Sequence, residues 1–333
     1  MKLTHLLAAL GLLLSGGLHA DSAHREVRIA SPWPAQSTII AMLGYGDNIV
    51  GTSAIAKQIP LFRQNFPAID RVPVISFGSG HELNPEQVIA LRANLLILPG
   101  GDAPPGTAVA QQALLEQAGV KVVTFKANAM QALTDRVAKT AALLGPDAER
   151  RAQRYRQYFD RNVARVAERL KDLPAGQRVR VYHSMGSPLM TSGRPSLNQD
   201  WMDLAGAQNV SERWFDDKPA RSGEVSLEKV VAANPAVIVA MNRRDADAIM
   251  TSPQWASVDA VRHRRVYVNP KGMFWWCRET SEEALQFLWL AKMLYPQRFA
   301  DIDMRQETRE FYRQFFGIAL SEAQIRDVLD PPR

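Results

Sequence analysis

The first part of the chain alternates short apolar runs with segments of helical periodicity. Between residues 27 and 125 the apolar runs are VRIA, VPVI, NLLILPG and KVVTF, and the helical segments between them are STIIAMLG, PEQVIALRA and QQALLEQAG. Strands that alternate with helices in this way are typical of an α/β fold with a mostly parallel sheet. The alternation resumes after residue 178 with VRVYHS, SLEKVVAAN, AVIVAMN and RRVYVNP. The pattern therefore predicts two α/β lobes.

A long amphipathic segment separates the two lobes. Apolar residues recur at helical spacing through RRAQRYRQYFDRNVARVAERL, with Arg, Asp and Glu between them. Pro146 and Pro174 mark its two ends. At about 1.5 Å per residue, such a helix is about 40 Å long, which suits a connection between lobes. We assign residues 21–145 to the first lobe, 146–174 to a linker helix and 175–333 to a second lobe with a helical tail.

The first twenty residues predict export from the cytoplasm. Lys2 precedes the apolar stretch LLAALGLLL, and the small residue Ala20 ends the segment, as in a secretory signal. An uncleaved membrane anchor needs roughly 20 uninterrupted apolar residues, whereas this run is broken by Ser15, Gly16 and Gly17. We predict a signal peptide over residues 1–20, cleavage after Ala20 and a mature chain in the periplasm.

Composition and charge exclude several classes of protein. The 40 Lys and Arg residues exceed the 34 Asp and Glu residues by only six, without the clustered basic runs of a nucleic-acid surface. The single cysteine, Cys277, excludes an intrachain disulfide and a site built from several thiolates. His5 and His19 leave with the signal peptide, and the other four histidines are scattered. We expect a monomer without cofactor, without a dedicated site for a bare metal ion and without a nucleic-acid partner.

The main alternative of a different class is an enzyme. The strained nucleophile turn of a hydrolase needs glycine two residues before and two residues after the serine. Gly186 lies two residues after Ser184, but the residue two before it is Tyr182 rather than glycine. The segment from Gly44 to Gly46 continues without the third glycine or the lysine of a phosphate-binding loop. The sequence therefore predicts a protein without catalytic activity. A hydrolytic enzyme is the less favoured interpretation.

One block of sequence occurs twice, at a constant offset of 142 residues. NPEQVIALRANLLI, which begins at Asn84, aligns with SLEKVVAANPAVIV, which begins at Ser226. Each copy predicts a capped helix start, a glutamate at the second helical position and a buried strand. Glu86 and Glu228 are the two glutamates, one in each lobe. An acidic first turn is also favoured by the helix dipole alone, by about 0.3 to 1 kcal/mol.

These blocks resemble a known family when taken in order. The repeated pair, the opening IIAMLGYGDNIVGTS, the strand VRHRRVYVNP and the long helix are together similar to the periplasmic binding proteins of ABC importers for iron complexes and cobalamin. The resemblance covers nearly the whole mature chain. It implies that Glu86 and Glu228 dock onto arginines of a permease in the inner membrane. It also implies that the lobes close only slightly on a ligand.

Ligands of open α/β sheets bind beyond the carboxyl ends of the strands. This rule gives Trp33, Gly100 and Gly101 in the first lobe and, in the second, His183, Met185, Arg243, Phe274, Trp275, Trp276 and Arg278. Three consecutive aromatic residues in a loop cannot all point into the core. Trp33 either contacts the ligand or fixes its loop, and His183 is either a metal ligand or a hydrogen-bonded structural residue. Cys277 is expected to be a packing residue.

Aromatic rings and guanidinium groups suit a bulky anionic or chelated ligand. The predicted function is therefore a periplasmic solute-binding protein that delivers a chelated metal to a permease. A ferric siderophore is the first expectation for the ligand. Cobalamin, haem, a molybdate-like oxyanion and a nickel chelate are the alternatives.

Overall fold

The first lobe is built on a four-stranded parallel sheet. The computed structural model describes residues 27–75, 83–100 and 106–332. The elements of this lobe are β1 (Ile29–Ala30), α1 (Pro34–Met42), β2 (Ile49–Gly51), α2 (Pro60–Asn65), α3 (Pro85–Ala90), β3 (Leu95–Pro99), α4 (Gly106–Gln117), β4 (Lys121–Phe125) and α5 (Met130–Leu144). The sheet order is β2-β1-β3-β4. The run VPVI, predicted as a strand, forms only a bridge between Val74 and Thr52.

The linker is α6 (Pro146–Leu170), a helix of 25 residues. It buries Tyr155, Phe159 and Val166 on one face and exposes charged residues on the other. The helix ends before residue 174, the predicted end, because Pro174 disfavours the helical conformation of the residue before it.

The second lobe repeats the parallel sheet and adds a helical tail. Its elements are β5 (Arg180–Ser184), β6 (Met190–Ser192), α7 (Leu197–Leu204), β7 (Gln208–Asn209), β8 (Ser222–Glu224), α8 (Leu227–Ala233), β9 (Val237–Ala240), α9 (Arg243–Thr251), α10 (Asp259–Arg262), β10 (Val266–Val268), α11 (Glu283–Leu294), α12 (Met304–Phe316) and α13 (Glu322–Leu329). The parallel sheet has the order β10-β9-β5-β7, and β6 and β8 form a separate antiparallel pair. These features confirm the predicted α/β class.

The two sheets share one topology. In each lobe the first strand of the parallel sheet lies between the second and the third, and the fourth strand follows at the edge. The 142-residue offset places Leu95 at the start of β3 in register with Val237 at the start of β9. The sequence repeat therefore corresponds to a repeated structural unit.

An arginine at the start of the first strand of each lobe's parallel sheet makes the same contact. The Nη2 atom of Arg28 donates to the carbonyl oxygen of Leu91 at 2.7 Å, and Nη2 of Arg180 donates to that of Ala233 at 2.5 Å. Leu91 and Ala233 are themselves 142 residues apart. Each arginine satisfies a carbonyl at the end of a helix, α3 or α8, where no backbone donor remains. The pair holds these two helices in equivalent positions on their sheets.

The lobes are joined by a continuous apolar core. One cluster of buried side chains extends from Ile39 of α1 through Tyr155 of α6 to Phe287 of α11 and Phe311 of α12. Close packing of this kind resists large relative movement of the parts it connects. None of the helices within the described ranges combines the length and the apolar character needed to cross a membrane.

Candidate functional site

The helices α3 and α8 present one exposed glutamate each, at their second residue. Asn84 caps α3 by accepting from the backbone N–H of Gln87 at 2.9 Å, and Ser226 caps α8 by accepting from that of Lys229 at 3.4 Å. Both side chains, those of Glu86 and Glu228, are exposed. A backbone N–H and the Ser226 hydroxyl stabilise the charged form of Glu228 and lower the pKa of its carboxyl. The two lobes thus carry matching acidic positions at their surface.

The carboxyl end of β1 faces the loop that follows β10 in the other lobe. Trp33, at the start of α1, is half-buried, and the guanidinium carbon of Arg136 lies 4.0 Å from the centre of its ring. Nη1 of Arg136 lies 3.4 Å from a carboxylate oxygen of Glu279, which belongs to the second lobe. Arg136 therefore contacts both Trp33 of the first lobe and Glu279 of the second lobe.

His183 lies at the carboxyl end of β5 with both ring nitrogens buried. It packs edge-on against Trp201 at 5.2 Å, and neither of its nitrogens has a hydrogen-bond partner among the described residues. The hydroxyl oxygen of Ser184 is also buried without a partner there. Burial, with the nearby charge of Arg278, lowers the pKa of His183 to about 3, so the imidazole is neutral. Among the described residues, the His183 ring thus makes no hydrogen bond that would give it a structural role.

The predicted ligand residues in the loop after β10 differ in exposure. Phe274 and Trp276 are buried and pack into the core. Trp275 is half-buried, with the Lys271 ammonium 4.2 Å from its ring centre, and Arg278 is exposed. The loop consists of bends and turns, closed by backbone hydrogen bonds from Gly272 to Phe274 and from Arg278 to Trp275.

Glu282 holds this loop in place. Its buried carboxylate accepts from the backbone N–H groups of Met273 at 2.6 Å and Phe274 at 3.2 Å, from the Thr280 hydroxyl at 2.6 Å, and from the Tyr312 hydroxyl. Burial raises the pKa of Glu282 to about 7, although these hydrogen bonds act in the opposite direction. Sequence reasoning missed this residue, because a glutamate before a helix is typical of an exposed first turn.

Arg243 does not point to the strand ends. Its guanidinium pairs with Asp330, and its Nε donates to the carbonyl oxygen of Pro331 at 3.2 Å, both in the C-terminal segment. Its neighbour Arg244 instead donates to the carbonyl oxygen of Gly186 at 3.1 Å, in the loop after β5. The C-terminal segment thus supplies acceptors for Arg243, whereas Arg244 is bonded to the loop after β5.

The remaining predicted residues lie at or near strand ends. Met185 is half-buried after β5, and its sulfur accepts from the side-chain amide of Asn198 at 3.1 Å. Gly100 follows β3, where an added Cβ would lie 2.9 Å from the Cβ of Thr124, so the position has no room for a side chain. Gly101 and the signal-peptide segment lie outside the described residues.

Cys277 is a packing residue, as expected. Its side chain is buried, and burial raises the pKa of its thiol to about 12. Such a thiol is fully protonated at neutral pH and is a weak nucleophile. Within the described ranges, no three His, Cys, Asp and Glu side chains group in a way that would hold a metal ion.

Two parallel-sheet lobes joined by a long helix, with their strand ends facing each other, define the class of periplasmic binding proteins. The family model described as periplasmic binding protein matches residues 29–272. The chain therefore belongs to the periplasmic binding protein family, whose members are the substrate-binding components of ABC transporters.

Two relatives and one solved structure show how far the similarity extends along the chain. The molybdate-binding protein MolA of Haemophilus influenzae is 36% identical over 155 residues, a stretch that covers 45% of this chain and 42% of MolA. The vitamin B12-binding protein of Vibrio cholerae is 24% identical over 275 residues, which cover 80% of this chain and 89% of that protein. The structure is similar to that of a periplasmic solute-binding protein of Veillonella parvula, with a TM-score of 0.78, 22% identity and 91% coverage of both chains.

Proposed function

We propose that this protein carries a metal-containing anion through the periplasm to an ABC permease of the inner membrane and catalyses no reaction. The observation that carries the proposal is the set of unsatisfied polar groups at the end of β5. The nitrogens of His183 and the hydroxyl of Ser184 are buried without partners, and the charge of Arg278 acts on His183. Buried polar groups are normally hydrogen-bonded, so atoms left free at a strand end are suited to a bound ligand.

The chemistry of these groups favours an oxyanion such as molybdate. A neutral imidazole donates one hydrogen bond, a hydroxyl donates another, and a guanidinium donates two in a planar fork. Together His183, Ser184 and Arg278 offer donors of the kind that bind negatively charged oxygens. The likeness to MolA, which is named for its binding of molybdate, supports the same class of ligand.

A ferric siderophore is the second candidate, and the aromatic residues favour it. Trp33 and Trp275 are each half-buried, so part of each ring is accessible. Each ring also carries a cation on one face, Arg136 at 4.0 Å and Lys271 at 4.2 Å from the ring centre. The accessible ring faces are suited to cover the apolar body of a chelate, and the Lys271 ammonium is suited to neutralise its charge.

We also propose how the protein reaches the periplasm and how it docks onto the permease. The signal peptide directs export, cleavage follows Ala20, and the mature chain acts as a monomer in the periplasm. There the exposed carboxylates of Glu86 and Glu228 pair with arginines of the permease. Their equivalent positions on α3 and α8 support this docking role, since a bound permease would meet one acidic residue on each lobe.

Thermal unfolding of the mature protein tests the ligand class. The probes are sodium molybdate, a ferric tris-catecholate, cyanocobalamin and haemin. A ligand present at one hundred times its dissociation constant stabilises the folded state by about 2.7 kcal/mol, which raises Tm by about 4 °C in a chain of this size. We expect molybdate or the ferric chelate to produce this shift.

Matched variants test whether the shift in Tm depends on the proposed ligand-binding residues. Arg278→Met is expected to abolish the shift, whereas Arg156→Met, which removes an exposed arginine paired with Asp160 on α6, leaves it unchanged. Metal analysis of the protein purified from the periplasm provides an independent measurement. No shift with any of the four probes, together with no bound metal after purification, would contradict the proposed function.

A further inference from the structure

Arg136 of α5 is a buried cation at the junction of the two lobes. Only 2% of the residue is exposed, and its guanidinium lies against the ring of Trp33. Its nitrogens contact both the carboxylate and the carbonyl oxygen of Glu279, while Nε has no partner among the described residues. A buried charge is costly unless it is paired, so the position of this side chain is determined by Glu279 and the ring. One residue of the first lobe thus connects Trp33 to the second lobe.

The segment that leads into α5 is bonded to the second lobe at further points. The backbone N–H of Asn128 also donates to the Glu279 carboxylate. The side-chain oxygen of Asn128 accepts from the backbone N–H of Leu197 at 3.2 Å. The backbone N–H of Met130 donates to Asp200 at 2.9 Å. All of these hydrogen bonds cross from one lobe to the other, so the start of α5 is fixed relative to the second lobe.

Two residues of this connection have a positive φ. Asn128 has a φ of 63° and Glu279 a φ of 62°, both in the left-handed region. Asparagine adopts this region readily, whereas a glutamate does so rarely and is held there by its surroundings. Here the N–H of Asn128 donates to the Glu279 carboxylate, and the Arg136 guanidinium binds the carboxylate and the carbonyl oxygen of Glu279.

We propose that Arg136 is a positioning residue of the ligand cleft, which fixes the ring of Trp33 and, through Glu279, the separation of the two lobes. The planar guanidinium is suited to this task because one face stacks on the ring while its edge binds the carboxylate and the carbonyl. The inference rests on the proposed function only in taking Trp33 as a ligand contact. Its test uses the protein without ligand, so a wrong ligand class does not affect the result.

Spin labels on the two lobes measure the separation. Ala90 and Ala232 are exposed, 142 residues apart and equivalent on α3 and α8, so Ala90→Cys with Ala232→Cys places one label on each lobe. The buried thiol of Cys277 does not react. In Arg136→Met we expect the interlobe distance distribution from pulsed electron resonance to be at least twofold broader than in the parent. An unchanged distribution in folded Arg136→Met would overturn the inference.

Arg169→Met is the matched control. Arg169 also combines an ion pair, to Asp301 at 2.7 Å, with a ring contact, to Phe299 at 5.6 Å, but these partners do not belong to the first lobe. We expect its interlobe distribution to equal that of the parent. Equal broadening in Arg169→Met and Arg136→Met would mean that any loss of an arginine pair loosens the protein, and would refute a specific role for Arg136.

Quenching of Trp33 fluorescence by acrylamide measures how accessible the Trp33 ring is to solvent. The signal is the difference between each variant and the same variant carrying Trp33→Phe. We expect a quenching constant at least twofold larger in Arg136→Met, and an unchanged constant would contradict the positioning role. If Arg136→Met does not fold, Glu279→Gln serves in its place, since its side chain is partly exposed and the isosteric change removes only the charge. A folded Glu279→Gln protein with parental distance distribution and quenching would also overturn the inference.

Discussion

Removing the His183 imidazole should change how the stability of the protein depends on pH. Burial lowers the pKa of this residue from 6.5 to about 3. Between these values the unfolded chain binds a proton that the folded protein does not, so stability is full above the unfolded pKa and is lost as the pH falls. One pKa unit corresponds to about 1.4 kcal/mol, which gives a maximum loss of about 5 kcal/mol and a loss of about 2 kcal/mol at about pH 5.

Urea unfolding of wild type and His183→Met between about pH 5 and pH 8 measures this contribution. We expect the free energy of unfolding of the wild type to fall by about 2 kcal/mol more than that of the variant over this range. The comparison cancels the other titrating groups, including Glu282, since both proteins contain them. Parallel pH profiles of wild type and His183→Met would refute a buried neutral histidine.

Three further predictions concern the loop after β10, the docking positions and the hinge. Gly272→Ala should lower the free energy of unfolding by about 1 to 3 kcal/mol in urea, because the added Cβ would overlap the Tyr312 hydroxyl and the Glu282 carboxylate. Gly176→Ala, at a site with open space, is its control, and equal effects would contradict this reasoning. Glu86→Arg combined with Glu228→Arg should abolish uptake of the ligand while its dissociation constant stays the same, and weakened ligand binding would move these residues into the site. X-ray scattering with and without ligand should give nearly identical curves, since the core is continuous through α6, and a large change in radius of gyration would disprove a stiff hinge.

The sequence determined the features that depend on neighbours along the chain. The alternation of strand and helix, the long amphipathic α6 and the capped starts of α3 and α8 all follow from periodicity and capping within one element. The 142-residue repeat predicted two equivalent units, and the shared strand order agrees with it. The carboxyl-end rule predicted that Trp33 follows β1 and that His183 lies at the end of β5, because the direction of parallel strands fixes which residues follow them.

The tertiary structure decided the features that depend on partners far along the chain. Arg136 and Glu279 are 143 residues apart, and no local pattern indicates that a polar position on α5 becomes a buried cation under Trp33. Arg243 is held by Asp330, 87 residues away, so its position at a strand end did not decide its direction. The periodicity of a segment indicates which of its faces is apolar. A buried charge, however, is stable only where a distant residue supplies its counter-charge. Only the folded chain brings these two residues together.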